Sequence, residues 1–125
     1  PFLRRKLARR GLAEPGYLQA IEERFGNYTD AAEPGMLWLH AVSLGETRAA
    51  AVLLDALRER EPGLRVLLTH GTATGRAEGQ RLLRAGDAQS WLPWDTPGAV
   101  RDFLDHFRPR VGVLIAECIS KDQGV

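Results

Sequence analysis

The sequence is short of the residues that build disulfide and metal sites. It carries one cysteine, Cys118, in 125 residues, so no internal disulfide can form. Its three histidines, His40, His70 and His106, are scattered and give no metal-ligand spacing, so no bound metal is expected. No run approaches the roughly 20 apolar residues that cross a bilayer, and no signal peptide with an apolar middle region is present. The glycines never fall in a Gly-x-Gly-x-x-Gly run, and none opens a Gly-Lys-Ser/Thr ending, so neither a dinucleotide fingerprint nor a P-loop is present. Charge of one sign is lacking too: 17 Lys and Arg stand against 16 Asp and Glu, a net of +1, which argues neither for a nucleic-acid binder nor for an acidic-substrate enzyme.

What is present is the composition of an ordinary domain able to bury a core, with 44% hydrophobic and 26% charged residues. The charge is unevenly placed. Arg4, Arg5, Lys6, Arg9 and Arg10 crowd the first ten residues behind Pro1-Phe2-Leu3. Such a start fits the positive flank of a hydrophobic anchor or, equally, a solvated basic helix. The chain opens on Pro1 without a methionine and stops at Val125 soon after an apolar strand, so an excerpt of a longer protein is expected.

Two regions follow from the patterning: 1–35, a basic juxtamembrane segment with an amphipathic helix, and 36–125, a regular α/β domain. In the first, Tyr17, Ile21 and Phe25 recur at helical spacing, which predicts a helix over 16–25. In the second, Met36 to Val42 predicts a strand, and Thr47 to Arg60 a helix buried through Ala50, Leu53, Leu54 and Leu57. Arg65 to Thr69 predicts a strand, His70 to Thr74 a loop, Gly75 to Arg84 a helix, and Gln89 to Leu92 a short strand. Thr96-Pro97 reads as a cap with proline at the first helical position, and the helix after it buries Val100, Phe103, Leu104 and Phe107. Arg110 to Ile115 closes the series as an apolar strand. Strands joined by single helices imply parallel pairing in a Rossmann-like doubly wound sheet, with ligands beyond the carboxyl ends of the strands. A sheet left open after this strand exposes an edge and an apolar face.

At that edge Ser43-Leu44-Gly45-Glu46 has two readings. Ser43 and Glu46 have capping-box spacing, which serves only the helix end. The same spacing presents Glu46 as a general base for an acceptor hydroxyl, with Gly45 allowing close approach. Thr69-His70-Gly71-Thr72-Ala73-Thr74-Gly75 is rich in hydroxyls and glycine at a helix mouth. It reads either as an anion-binding turn or as an ordinary one capped by Thr74. His70 alone is as readily a hydrogen-bonding residue as a catalyst.

In combination these segments are far more specific. Trp38 to Ala50, Leu68 to Arg76, Leu92-Pro93-Trp94-Asp95-Thr96-Pro97-Gly98-Ala99-Val100 and Arg108-Pro109-Arg110 resemble the 3-deoxy-D-manno-octulosonic acid (Kdo) transferases in order and spacing. Upstream, Gly16-Tyr17 and Glu23-Arg24-Phe25-Gly26 are similar to the same family's segment after its anchor. The resemblance implies the acceptor-side, amino-terminal half of a GT-B glycosyltransferase, with the nucleotide-sugar domain absent. It implies transfer of Kdo from CMP-Kdo to the lipid A precursor of lipopolysaccharide, with inversion, without a metal or other cofactor, at the cytoplasmic face of the inner membrane. The basic segment would then meet the membrane surface. Glu46 takes the role of base, and Ser43, Gly45, His70, Thr72, Thr74, Gly75 and Arg76 are the acceptor-binding candidates. After the last strand the family carries an acidic pair and a Trp-Pro. Here Glu117 stands one register off, as a candidate second acidic site, and Trp-Pro is missing. Cys118 beside it has no evident partner base and reads as an incidental thiol. The chain alone is expected to be inactive. The competing reading is a non-catalytic α/β binding module derived from such an enzyme; a nucleotide-cofactor oxidoreductase is disfavoured by the absent fingerprint.

Overall fold

The computed structural model describes residues 20–28 and 32–115. The basic run, the start of the amphipathic helix, Glu117 and Cys118 lie outside these residues.

A 3-10 turn over Ile21–Phe25 precedes the domain, in which β1 (Leu37–Ala41), α1 (Leu44–Arg60), β2 (Val66–His70), α2 (Ala73–Gln80), β3 (Ala88–Trp91), α3 (Pro97–Phe107) and β4 (Val111–Ile115) alternate. All the strand pairings are parallel, and the order across the sheet is β3-β2-β1-β4. The chain thus steps outward from β1 to β3, then crosses back to place β4 on the other side of β1. A right-handed crossover in each direction puts helices on opposite faces, which is what doubly wound means.

Two apolar clusters confirm the layering. On one face Leu54 of α1 meets Leu37, Leu39, Val66 and Leu68, with Leu57, Leu82 and Leu83 against them. On the other, Phe103 and Phe107 of α3 meet Met36 and Leu67, with Trp38 and Tyr28 alongside. Each such side chain, fully buried, contributes about 1.5–3 kcal/mol of transfer free energy. Strand β2 is buried at every residue because it lies between two strands and between two helical layers.

Several boundaries depart from the sequence expectations. The predicted helix over 16–25 is, in its described part, only a five-residue 3-10 turn, entered through Ala20 at a positive φ of 51°. It lies against the carboxyl edge of the sheet and hydrogen-bonds to it rather than standing apart. Helix α1 begins at Leu44, directly behind the Ser43 cap, and its buried stripe is Thr47, Ala50, Leu54 and Arg58, leaving Leu53 36% exposed. The rotation follows from Arg58, which reaches Asp87 at 2.5 Å; Asp87 also accepts from the backbone N–H groups of Val66 and Arg84. Helix α2 starts earlier and stops at Gln80, and its cap is Thr72, not Thr74. His70 is the last residue of β2, paired with Trp91, rather than the first of a loop. The Thr96 cap with Pro97 is present as expected, but Val100 and Leu104 of α3 remain exposed. Strand β4 carries Val111, Val113 and Leu114 exposed, the open apolar edge anticipated from the pattern.

Candidate functional site

The strand order reverses between β1 and β4, and in open α/β sheets ligands collect at such a reversal, beyond the carboxyl ends of the strands. The loop leaving β1 stands there. Ser43 adopts an extended conformation and its hydroxyl accepts from the Glu46 N–H at 3.4 Å, so it caps α1. The Glu46 carboxylate turns back: its Oε1 accepts from the Val42 N–H at 2.8 Å, one residue further than a standard capping box reaches. Oε2 makes no hydrogen bond among the described residues and is not a buried orphan, so it faces solvent. The helix cap is thus present, and the geometry leaves the other carboxylate oxygen uncommitted. One oxygen fixes the helix end and holds the carboxylate; the other is open.

The loop leaving β2 is built differently. The Thr72 hydroxyl donates to Val42 O at 2.9 Å and accepts from the Gly75 N–H at 3.1 Å. It joins the two loops and caps α2. Gly75 is buried, and a Cβ there would lie 2.8 Å from Val42 O, so the absent side chain lets the first turn of α2 press on the β1 loop. Arg76 is 8% exposed; its Nη1 donates to Glu23 Oε1 at 2.8 Å and its guanidinium lies 5.0 Å from the centre of the Trp91 ring. His70 has no exposed surface. Its Nδ1 lies 2.9 Å from Ala41 O, and since a carbonyl only accepts, Nδ1 carries the proton. Burial drives the pKa of His70 down to about 4, so the ring is neutral. The side chain lies under α2, against the space left by Gly79.

The structure thus brings together Ser43, Gly45, Glu46 and Thr72, with Thr74 exposed on the same rim. It turns His70, Gly75 and Arg76 inward, where each is buried. Sequence reasoning gave no role to the group that ties this edge together. Glu23 also accepts from the Trp91 N–H at 3.0 Å. Arg24 donates to Gly71 O at 3.3 Å, and its guanidinium lies 4.5 Å from the Trp91 ring centre and 5.0 Å from that of Trp94. The four-residue run Glu23 to Gly26 was the available signal. His40, at the end of β1, was passed over as well: its Nδ1 lies 2.8 Å from Thr69 Oγ1, and it lines a cavity of about 350 Å³ with Trp38, Leu92, Gly112, Val113 and Leu114.

A larger cavity, about 700 Å³, opens at the opposite edge among Tyr28, Met36, Arg65, Asp87, Gln89 and His106. Its charged lining is already engaged, Asp87 by Arg58 and Arg65 by Glu33 and Pro34 O. The chemistry-bearing residues lie at the other end of the strands.

Residues 19–118 match the family described as 3-deoxy-D-manno-octulosonic-acid transferase (kdotransferase). A relative from Bordetella pertussis, named 3-deoxy-D-manno-octulosonic acid transferase, is 55% identical over 97 residues, covering 74% of this chain and 22% of the relative. A probable mitochondrial 3-deoxy-D-manno-octulosonic acid transferase from Arabidopsis thaliana is 34% identical over 94 residues, covering 74% and 21%. The enzyme of that name from Haemophilus influenzae is 29% identical over 103 residues, covering 81% and 24%. No solved structure gives a significant match. The chain spans between a fifth and a quarter of the length of these relatives. The match over most of the sequence, on a doubly wound parallel fold, shows that the chain belongs to the Kdo transferase family.

Proposed function

We propose that this chain is the acceptor-side half of a glycosyltransferase that moves Kdo from CMP-Kdo to a hydroxyl of the lipid A precursor. The observation that carries the reading is the Glu46 carboxylate, anchored through Oε1 on the Val42 N–H with Oε2 open at the reversal point of the sheet. A sugar hydroxyl is a poor nucleophile until a positioned base accepts its proton. Here Glu46 takes that proton as the acceptor oxygen bonds to the anomeric carbon of Kdo. The bond from that carbon to the phosphate oxygen breaks, and CMP leaves with the electron pair. A single displacement inverts the anomeric centre, and no step calls for a metal ion. Ser43, Gly45, Thr72 and Thr74 form the rim on which the acceptor rests. The basic residues from Arg4 to Arg10 suit an anionic surface at the cytoplasmic face of the inner membrane and the phosphates of the acceptor. The donor nucleotide needs a second domain, so the chain alone does not turn over.

The test is a graft. This chain replaces the corresponding segment of the Bordetella pertussis relative, and Kdo transfer from CMP-Kdo to a lipid A precursor is compared for the graft, its Glu46→Ala variant and the chain by itself. Activity in the graft that disappears with Glu46→Ala supports the proposal. An active Glu46→Ala graft reduces Glu46 to a helix cap, and a folded but inactive graft favours a non-catalytic binding module.

A further inference from the structure

His40 sits one strand step before the base loop, and its surroundings fix how it presents its ring. Thr69, opposite it on β2, has no exposed surface. The Thr69 hydroxyl has two side-chain partners, each at 2.8 Å: Trp38 Nε1 and His40 Nδ1. An indole N–H can only donate, so it fills one lone pair of the hydroxyl. The hydroxyl keeps its own proton and can donate it to His40 Nδ1, an arrangement that places the ring proton on Nε2. Trp38 is itself held in place: a Cβ on Gly112 would come within 2.9 Å of its ring, and Phe103 lies 5.0 Å away, centre to centre. His40 is half-buried, and its side chain borders the cavity with Leu92 and Val113.

We propose that His40 is a substrate-binding residue, its Nε2–H donating to an oxygen of the sugar acceptor while Glu46 takes the proton from the reacting hydroxyl, and that Thr69 is the positioning residue that sets the tautomer. The inference rests on the proposed transferase reading. His40 and Val42 are two residues apart on extended chain, about 7 Å at most, and Val42 is the residue whose N–H holds Glu46. A neutral ring suits this role, and burial holds the His40 pKa below its ordinary value, with Arg24 lowering it further against the opposing pull of Glu46 and the Thr69 backbone. An uncharged donor orients a hydroxyl or ring oxygen without competing for the proton that Glu46 removes.

Two measurements decide it. In the 15N-histidine-labelled chain, long-range proton–nitrogen spectra should show His40 as the Nε2–H tautomer, becoming a mixture in Thr69→Val. A wild-type Nδ1–H tautomer overturns the proposal. In the graft, His40→Phe should raise the KM for lipid A precursor about 3- to 10-fold, the size of one neutral hydrogen bond. The KM for CMP-Kdo should stay unchanged, and His40→Gln, whose amide can replace Nε2–H, should recover most of the loss. An unchanged acceptor KM in His40→Phe, or an equal loss in His40→Gln, overturns it while leaving the transferase reading intact. A graft that stays active with Glu46→Ala removes the assigned base instead, and the two KM values still judge His40.

Discussion

The loops that leave β1 and β2 have similar ingredients, a hydroxyl cap, a glycine and a charged residue in the first turn of a helix, and the structure uses them in opposite ways. In the β1 loop, Ser43 caps the helix and Glu46 keeps an open oxygen at the edge. In the β2 loop, the Thr72 hydroxyl, Gly75 and Arg76 are all engaged by neighbours. The difference lies in position within the sheet. The β1 loop stands at the strand reversal. The β2 loop lies between its neighbours and is overlaid by the 3-10 turn bearing Glu23 and Arg24. The same ingredients thus leave one carboxylate oxygen open in the first loop and bury the glycine and the charged side chain in the second.

The sharpest test of this contrast exchanges the two charged residues' fates. In the graft, Glu46→Gln should lower kcat about 10²- to 10⁴-fold, the usual size of a general-base contribution, while urea unfolding shifts by no more than about 1 kcal/mol, the worth of a cap. Arg76→Met should do the reverse. It leaves Glu23, 20% exposed at its side chain, without its cation, and should cost about 3 kcal/mol in urea unfolding, with activity per folded molecule nearly retained. Equal stability losses in the two variants would erase the distinction.

The inward character of the β2 loop can be probed next at Gly79, whose added Cβ would lie 2.4 Å from His70 Nε2. The ring cannot retreat, since Nδ1 is fixed to Ala41 O. Gly79→Ala gains about 1 kcal/mol of helix propensity and pays more than that in overpacking, for a net loss of about 2 kcal/mol by thermal or urea unfolding. A stabilised Gly79→Ala would mean that α2 stands further from β2 than described.

Much of this was legible in the residues. Alternation of short apolar runs with helical spacing is a local signal, and it located all four strands, the parallel class and the Thr96-Pro97 cap. The Ser43–Glu46 cap was legible too, because capping depends on three or four consecutive residues. What the pattern could not carry were partners distant in sequence. Arg58 turned α1 toward Asp87, 29 residues away, against the hydrophobic stripe. Glu23 engaged Arg76 from 53 residues away, which withdrew a candidate ligand-binding arginine from solvent. His70 looked like a loop residue until its pairing with Trp91 showed it to be the end of a strand. His40 was hidden for a related reason, since its value depends on Thr69 and Trp38 lying beside it on the sheet.

The smallest effect belongs to His70, and it tests whether that ring is as buried as its geometry requires. Its folded pKa is depressed to about 4 from an ordinary 6.5. Below pH 6.5 the unfolded chain therefore takes up a proton that the folded chain refuses. Stability is fully present above pH 6.5 and falls as the pH drops toward 4, by up to about 1.4 kcal/mol per unit for one proton. Between pH 7 and 5.5 the loss should be about 1 kcal/mol, read as a shift in urea midpoint. His70→Asn keeps a donor near Ala41 O but cannot titrate, so this part of the pH dependence should vanish in it, whatever its stability at pH 7. An undiminished slope in His70→Asn would assign the effect to other groups and return His70 to the exposed, ligand-facing role that its place beside the glycine-rich turn first suggested.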